Sequence, residues 1–127
     1  MKIGNIEINS KTAALAPMAG VADRAFREIC VSYGASYVVS EMVSSKGLTM
    51  CDRKSKKLLL LSDKERPAAA QIFGNDPAIM AEAAVLALEI SGCDFIDCNL
   101  IKNLNFAHIT TCSLIYSVND KVYSSLR

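Results

Sequence analysis

This sequence lacks most of what would mark a metal centre, a membrane span or a polyanion-binding field. Histidine occurs once, at His108, and the five cysteines, Cys30, Cys51, Cys93, Cys98 and Cys112, are odd in number with no paired ligand spacing. Both facts argue against a zinc site. No apolar run approaches the roughly 18 to 20 residues that cross a bilayer. The 14 basic residues nearly balance the 13 acidic ones, and a net charge of +1 provides no whole-chain field to draw nucleic acid or an anionic membrane. Met1-Lys2-Ile3-Gly4 enters strand-like alternation without a secretory leader, so a cytoplasmic location with reduced thiols is the expectation.

The chain does contain material for a core. Of its 127 residues, 51% are hydrophobic and 21% charged, the balance of a folded globular domain rather than a disordered one. This length suits one domain, while a complete eight-stranded α/β barrel takes about 250 residues. The expectation is therefore a small α/β domain or part of a larger one.

Apolar periodicity supplies the order of elements. Ile3, Ile6 and Ile8 around Gly4-Asn5 read as a short hairpin, followed by a strand at 12–18. Phe26, Ile29, Cys30 and Tyr33 then fall at helical spacing, and Gly34 ends an amphipathic helix over 23–33. A strand is predicted at 37–42, a loop with a short helix over 44–66, and a strand at 68–73. Asp76-Pro77 starts a helix with a side-chain cap and a proline in its first turn. Ile79, Ala83, Leu86 and Ile90 form its predicted buried stripe, Gly92 ends it, and 94–99 is a fourth strand. Strands alternating with helices predict an α/β fold with a parallel sheet, open or curled as part of a (β/α) TIM barrel. The remainder, 100–127, has no helical period. Residues 109–118 have only moderate strand propensity and do not fit the α/β pattern.

In such folds ligands sit at the carboxyl ends of the parallel strands. Those ends carry Pro17-Met18-Ala19-Gly20 after the first strand, Gln71-Ile72-Phe73-Gly74 on the third and Asp97-Cys98-Asn99 on the fourth. Gln71, within an otherwise apolar strand, costs roughly 1 to 3 kcal/mol if buried without a partner, so it needs a ligand or a neighbouring strand end. Glu41 has the same need, met either by backbone N–H groups or by a site role. Alternation puts Asp97 on the face of Asn99 and opposite Cys98, which reads as a small buried hydrophobe. The run Arg53-Lys54-Ser55-Lys56-Lys57 reads as a solvated helix face, with a phosphate contact as the alternative.

The segments Ala16-Pro17-Met18-Ala19-Gly20-Val21-Ala22-Asp23, Ser40-Glu41-Met42, Glu65-Arg66-Pro67, Gln71-Ile72-Phe73-Gly74 and Asp94-Phe95-Ile96-Asp97 with Asn99 together resemble the tRNA-dihydrouridine synthases. The resemblance spans 1–99 and implies the amino-terminal half of an FMN-binding barrel. It implies that Ala16, Pro17, Met18 and Gln71 contact the flavin ring and that Asn99 contacts the substrate base. The implied reaction is reduction of a uridine in tRNA. FMN delivers hydride, a cysteine donates the proton, and NADPH recharges the flavin.

The sequence departs from that family at one decisive place. The family continues as Asn-x-Gly-Cys-Pro, which would put its cysteine at position 102, where this chain has Lys102. No catalytic proton donor and no metal ligand are therefore assigned. Residues 100–127 read as a frameshifted or foreign tail, and the expectation is a truncated, inactive copy that retains little FMN. Two alternatives stand beside it. One is another FMN barrel oxidoreductase. The other is a non-catalytic half-barrel remnant that self-associates through an exposed sheet edge.

Overall fold

The computed structural model describes residues 2–3, 6–9, 11–101 and 111–117. Strands β1 (Lys2–Ile3) and β2 (Ile6–Glu7) pair antiparallel, with Ile3 opposite Ile6. After helix α1 (Arg24–Ser32) come β3 (Val38–Val39), β4 (Val43–Ser44), α2 (Ser45–Thr49), α3 (Arg53–Leu58) and a 3-10 turn (Asp63–Glu65). Strand β5 (Ala68–Gly74), helix α4 (Pro77–Ser91), β6 (Phe95–Ile101) and β7 (Thr111–Ser117) complete the described chain. Asp23, Ser44, Asp52 and Asp76 cap the four α-helices through side-chain oxygens, each accepting a backbone N–H that the helix leaves unpaired.

The sheet runs β3–β5–β6–β7, with β4 also pairing β5. β3, β4, β5 and β6 are parallel, as the alternation predicted, and the sheet is not closed. β7 lies antiparallel against the far edge of β6, from Phe95 opposite Ser117 to Ile101 opposite Thr111. Of the stretch 109–118, the described residues 111–117 form a strand that covers the β6 edge.

Three predicted elements differ. The strand at 12–18 is reduced to one bridge, Leu15 beside Val38. Leu15 N–H donates to the Tyr37 carbonyl at 3.0 Å, but the next residue facing the ladder is Pro17, which has no N–H to give. The strand at 37–42 is split in two, because Val39 pairs Ala69 while Val43 pairs Ile72. Three residues, 40–42, therefore oppose two, which is a bulge. The stretch 44–66 holds two short helices and a 3-10 turn rather than one helix.

Two apolar clusters lie on the two faces of the sheet. One packs Val43, Leu48, Leu59, Ala70, Ile72 and Ile96 with α4. The fully buried line of α4 is Met80, Ala83, Ala87 and Ser91, one position round from the predicted stripe of Ile79, Ala83, Leu86 and Ile90. Alanines there let the helix lie close on β5 and β6, and the larger side chains pack at its flanks. The other cluster is Ile8, Val39, Ala69 and Phe95, with Ile3, Ile6 and Tyr37 around it. Its centre is Phe95, fully buried and edge-on to Tyr37, and such burial contributes about 1.5 to 3 kcal/mol. The amino-terminal hairpin thereby plugs the lower end of the inner face.

Helix α1 departs furthest from its apolar pattern. Ile29 and Tyr33 are exposed, and its buried residue is Arg27. The guanidinium is held by the buried Glu65 carboxylate at 2.5 Å and by the carbonyls of Ala22 and Leu60. Among the described residues no helix is long and apolar enough to cross a membrane.

Candidate functional site

Strand alternation builds the site above the hairpin plug. On the face that carries Ala69 and Phe95 below, the next residues are Gln71 on β5 and Asp97 on β6, which are register partners. Both are buried, and Gln71 Nε2 donates to Asp97 Oδ2 at 2.7 Å. Asn99 follows Asp97 at the spacing that returns a side chain to the same face. Asn99 Nδ2 lies 3.7 Å from Met42 Sδ. Asp97 Oδ1 and Asn99 Oδ1 are buried with no hydrogen-bond partner among the described residues. Burial raises the pKa of Asp97 above the ordinary carboxylate value, and the Gln71 hydrogen bond offsets part of that rise.

The bulge at 40–42 supplies the neighbouring wall. Ser40 N–H donates to the Ala69 carbonyl at 2.8 Å, and Ser40 Oγ accepts the Gln71 backbone N–H at 3.0 Å. A hydroxyl thus stands where the ladder would put a carbonyl, and the strand is free to re-aim Glu41 and Met42. Glu41 Oε2 accepts the Gly20 N–H at 2.8 Å. Gly20 has φ +73°, a left-handed conformation that closes the turn after Pro17-Met18-Ala19. The Met18 carbonyl accepts the N–H groups of both Val21 and Ala22 and completes that turn.

Ala16, Pro17 and Met18 therefore lie at the same end of the sheet as Gln71 and Asn99. They are joined to them through Glu41 and Met42 rather than by direct hydrogen bonds. Ala16 and Met18 are exposed, Pro17 and Asn99 half-buried, and Gln71 buried. Lys102 and His108 lie outside the described residues. Cys98 packs on the opposite face against the α4 cluster, where burial pushes its thiol up to about 11. That environment suits the small hydrophobe its sequence suggested.

Sequence reasoning put Asp97 on the face of Asn99 but gave it no task. The missing datum was register: once Gln71 and Asp97 lie level on adjacent strands, an amide beside a carboxylate follows. A concavity of about 230 Å³ sits elsewhere, over the ends of β4 and β5 between the starts of α2 and α4. The first free N–H groups of α4 there already bond the Asp76 carboxylate.

Parallel strands alternating with helices, with polar side chains converging at the strand carboxyl ends, define an α/β protein of partial TIM-barrel type. A family model, "Dihydrouridine synthase (Dus)", matches residues 14–100. Over 100 residues the chain is 44% identical to "tRNA-dihydrouridine synthase B" of Vibrio vulnificus, covering 79% of this chain and 30% of that protein. Over 86 residues it is 48% identical to "tRNA-dihydrouridine synthase B" of Pseudomonas aeruginosa, covering 68% and 26%. It is 43% identical over 100 residues to "Probable tRNA-dihydrouridine synthase" of Rickettsia conorii, covering 78% and 30%. The chain belongs to the dihydrouridine synthase family, and its matched part spans less than a third of the length of these relatives.

Proposed function

We propose that these residues form the ring-facing part of a flavin and uridine site of a tRNA-dihydrouridine synthase, and that the 127-residue chain does not carry out the reduction by itself. The observation behind this reading is the pair of buried acceptors, Asp97 Oδ1 and Asn99 Oδ1, left without donors at the carboxyl ends of the sheet. Natural interiors rarely leave such atoms unpaired, and a heteroaromatic edge with N–H groups would satisfy them. On this reading Ala16, Pro17 and Met18 bring backbone against the ring edge, Gln71 bonds its polar rim, and Asn99 meets the base. When bound, FMN supplies the hydride, with NADPH as its reductant, and tRNA is the substrate. Lys102, where the family has its cysteine, leaves the base without its proton donor.

Two measurements test this. Riboflavin and FMN titrated into the purified chain are expected to bind weakly and with similar affinity, since every contact named is to the ring. Gln71→Ala is expected to weaken that binding by about tenfold, the loss of one hydrogen bond in a buried site. A Gln71→Ala variant that binds equally well would count against the assignment, and a chain recovered with equimolar flavin would overturn the expectation of weak binding. With tRNA, NADPH and added FMN, no dihydrouridine is expected from the chain or from its Lys102→Cys variant. Dihydrouridine formed by the unmodified chain would show that the donor lies elsewhere.

A further inference from the structure

We propose that Asp97 is a positioning residue, which holds the Gln71 side chain so that its carbonyl oxygen, not its NH2, is turned to the ligand. Gln71 Nε2 donates to Asp97 Oδ2 at 2.7 Å, and a carboxylate, which only accepts while it is ionised, holds the amide in that orientation. Among the described residues Gln71 Oε1 takes part in no hydrogen bond, so it is the atom free for a ligand. The backbone beneath is fixed as well, because the Gln71 N–H is tied to Ser40 Oγ at 3.0 Å.

Stability alone does not account for a carboxylate here. Asp97 is 5% exposed, and none of the ion pairs among the described residues includes it. A buried charge without a cation is unfavourable, and an asparagine of the same shape could accept the same hydrogen bond without that cost. What asparagine could not do is enforce direction. Its amide either accepts from Gln71 or donates to it, so Gln71 could present either end. With aspartate, Gln71 Oε1, Asp97 Oδ1 and Asn99 Oδ1 are all acceptors on one face, so what any of them receives from a ligand is an N–H, such as the single N–H of an imide.

The proposal rests on the flavin reading for its ligand but not for its amide geometry, and the test separates the two. Gln71 is the sole glutamine in the sequence, so glutamine-selective 15N labelling yields one side-chain NH2 pair. In the unmodified chain that pair is expected to be widely split, with one proton shifted downfield and protected from exchange by the carboxylate. Asp97→Asn is expected to collapse the splitting and lower riboflavin affinity by about tenfold while the thermal midpoint holds or rises. The exchanged pair Gln71→Glu with Asp97→Asn restores one donor and one acceptor. It still presents an acceptor oxygen at position 71, so it is expected to fold as the unmodified chain does and to bind riboflavin more tightly than Gln71→Ala. An unchanged NH2 pair in Asp97→Asn, or riboflavin affinity in the exchanged pair as low as in Gln71→Ala, would overturn the proposal. If Asp97→Asn does not fold, the exchanged pair carries the comparison. Riboflavin that leaves the unmodified Gln71 pair unmoved counts against the flavin reading alone, and the response of the pair to Asp97→Asn then decides the positioning role.

Discussion

The hydroxyl of Ser40 accepts the backbone N–H of Gln71 at 3.0 Å and donates to the Glu41 carbonyl at 3.1 Å, so one side chain completes the ladder that the bulge interrupts. Ser40 is fully buried, and no water can take its place cheaply. Ser40→Ala is expected to destabilise the chain by about 1 to 3 kcal/mol, the cost of a buried donor left unpaired. Urea denaturation at fixed pH measures it. A loss below a few tenths of a kcal/mol would mean that the strand closes the gap by itself.

Arg27 and Glu65 form a second buried dependency. Glu65 Oε2 takes Arg27 Nε, while Glu65 Oε1 accepts the Ser62 N–H at 3.0 Å. This pair fixes α1 to the 3-10 turn that leads into β5. Arg27→Met or Glu65→Leu alone is expected to cost about 3 to 5 kcal/mol, because each leaves the opposite charge buried without its counter-ion. Arg27→Met with Glu65→Leu is expected to cost clearly less than the two single changes summed. Denaturation midpoints of all the variants decide it, and strict additivity would refute the coupling.

This pair also marks a limit of reading the fold from the sequence. Periodicity located β5, β6 and α4 closely, because long elements with one apolar face leave a repeating signal. It misplaced the buried face of α1, where an arginine enters the interior with a carboxylate 38 residues away. The bulge at 40–42 was equally illegible, since one extra residue changes register without changing composition. At the site, the order Gln71, Asp97, Asn99 could be read from alternation. The Gly20 to Glu41 hydrogen bond could not, because it depends on how a proline-terminated edge segment folds over its neighbour.

Asp97 makes stability depend on pH in a direction opposite to that of an ion-paired carboxylate. Its folded pKa is raised above the ordinary value by burial, so the desolvation penalty is fully present above the folded value. The penalty is relieved as pH falls through that value towards the unfolded one, about 3.8. Glu28 and Asp52 are shifted the other way by hydrogen bonds, from Arg24 and from Ser55. Their contributions are lost on acidification, but they are common to any Asp97 variant. The stability of the unmodified chain relative to Asp97→Asn is therefore expected to rise between about pH 7 and pH 4. Urea denaturation of both proteins across that interval tests the sign, and a flat or falling difference would show that the carboxyl is well solvated.

The family match ends at residue 100, inside β6, which runs on from Phe95 to Ile101. Exchange of structural units joins chains in exposed linkers where few contacts cross, whereas this junction cuts a strand buried in the sheet. A shift of reading frame takes no account of structure and would leave such a junction. It would also explain why the glycine and cysteine of the family pattern vanish together at Ile101 and Lys102. The strand formed by 111–117 is then a segment of suitable β-propensity that pairs with the nearest open edge. The gene, sequenced through its downstream flank, is expected to encode Gly-Cys-Pro in another frame just after the Asn99 codon, followed by further strand and helix units. If no frame resumes that pattern, the tail is a replacement. In that case, removing 103–127 is expected to weaken the chain by exposing the edge that β7 covers, and size-exclusion chromatography would register the association that follows.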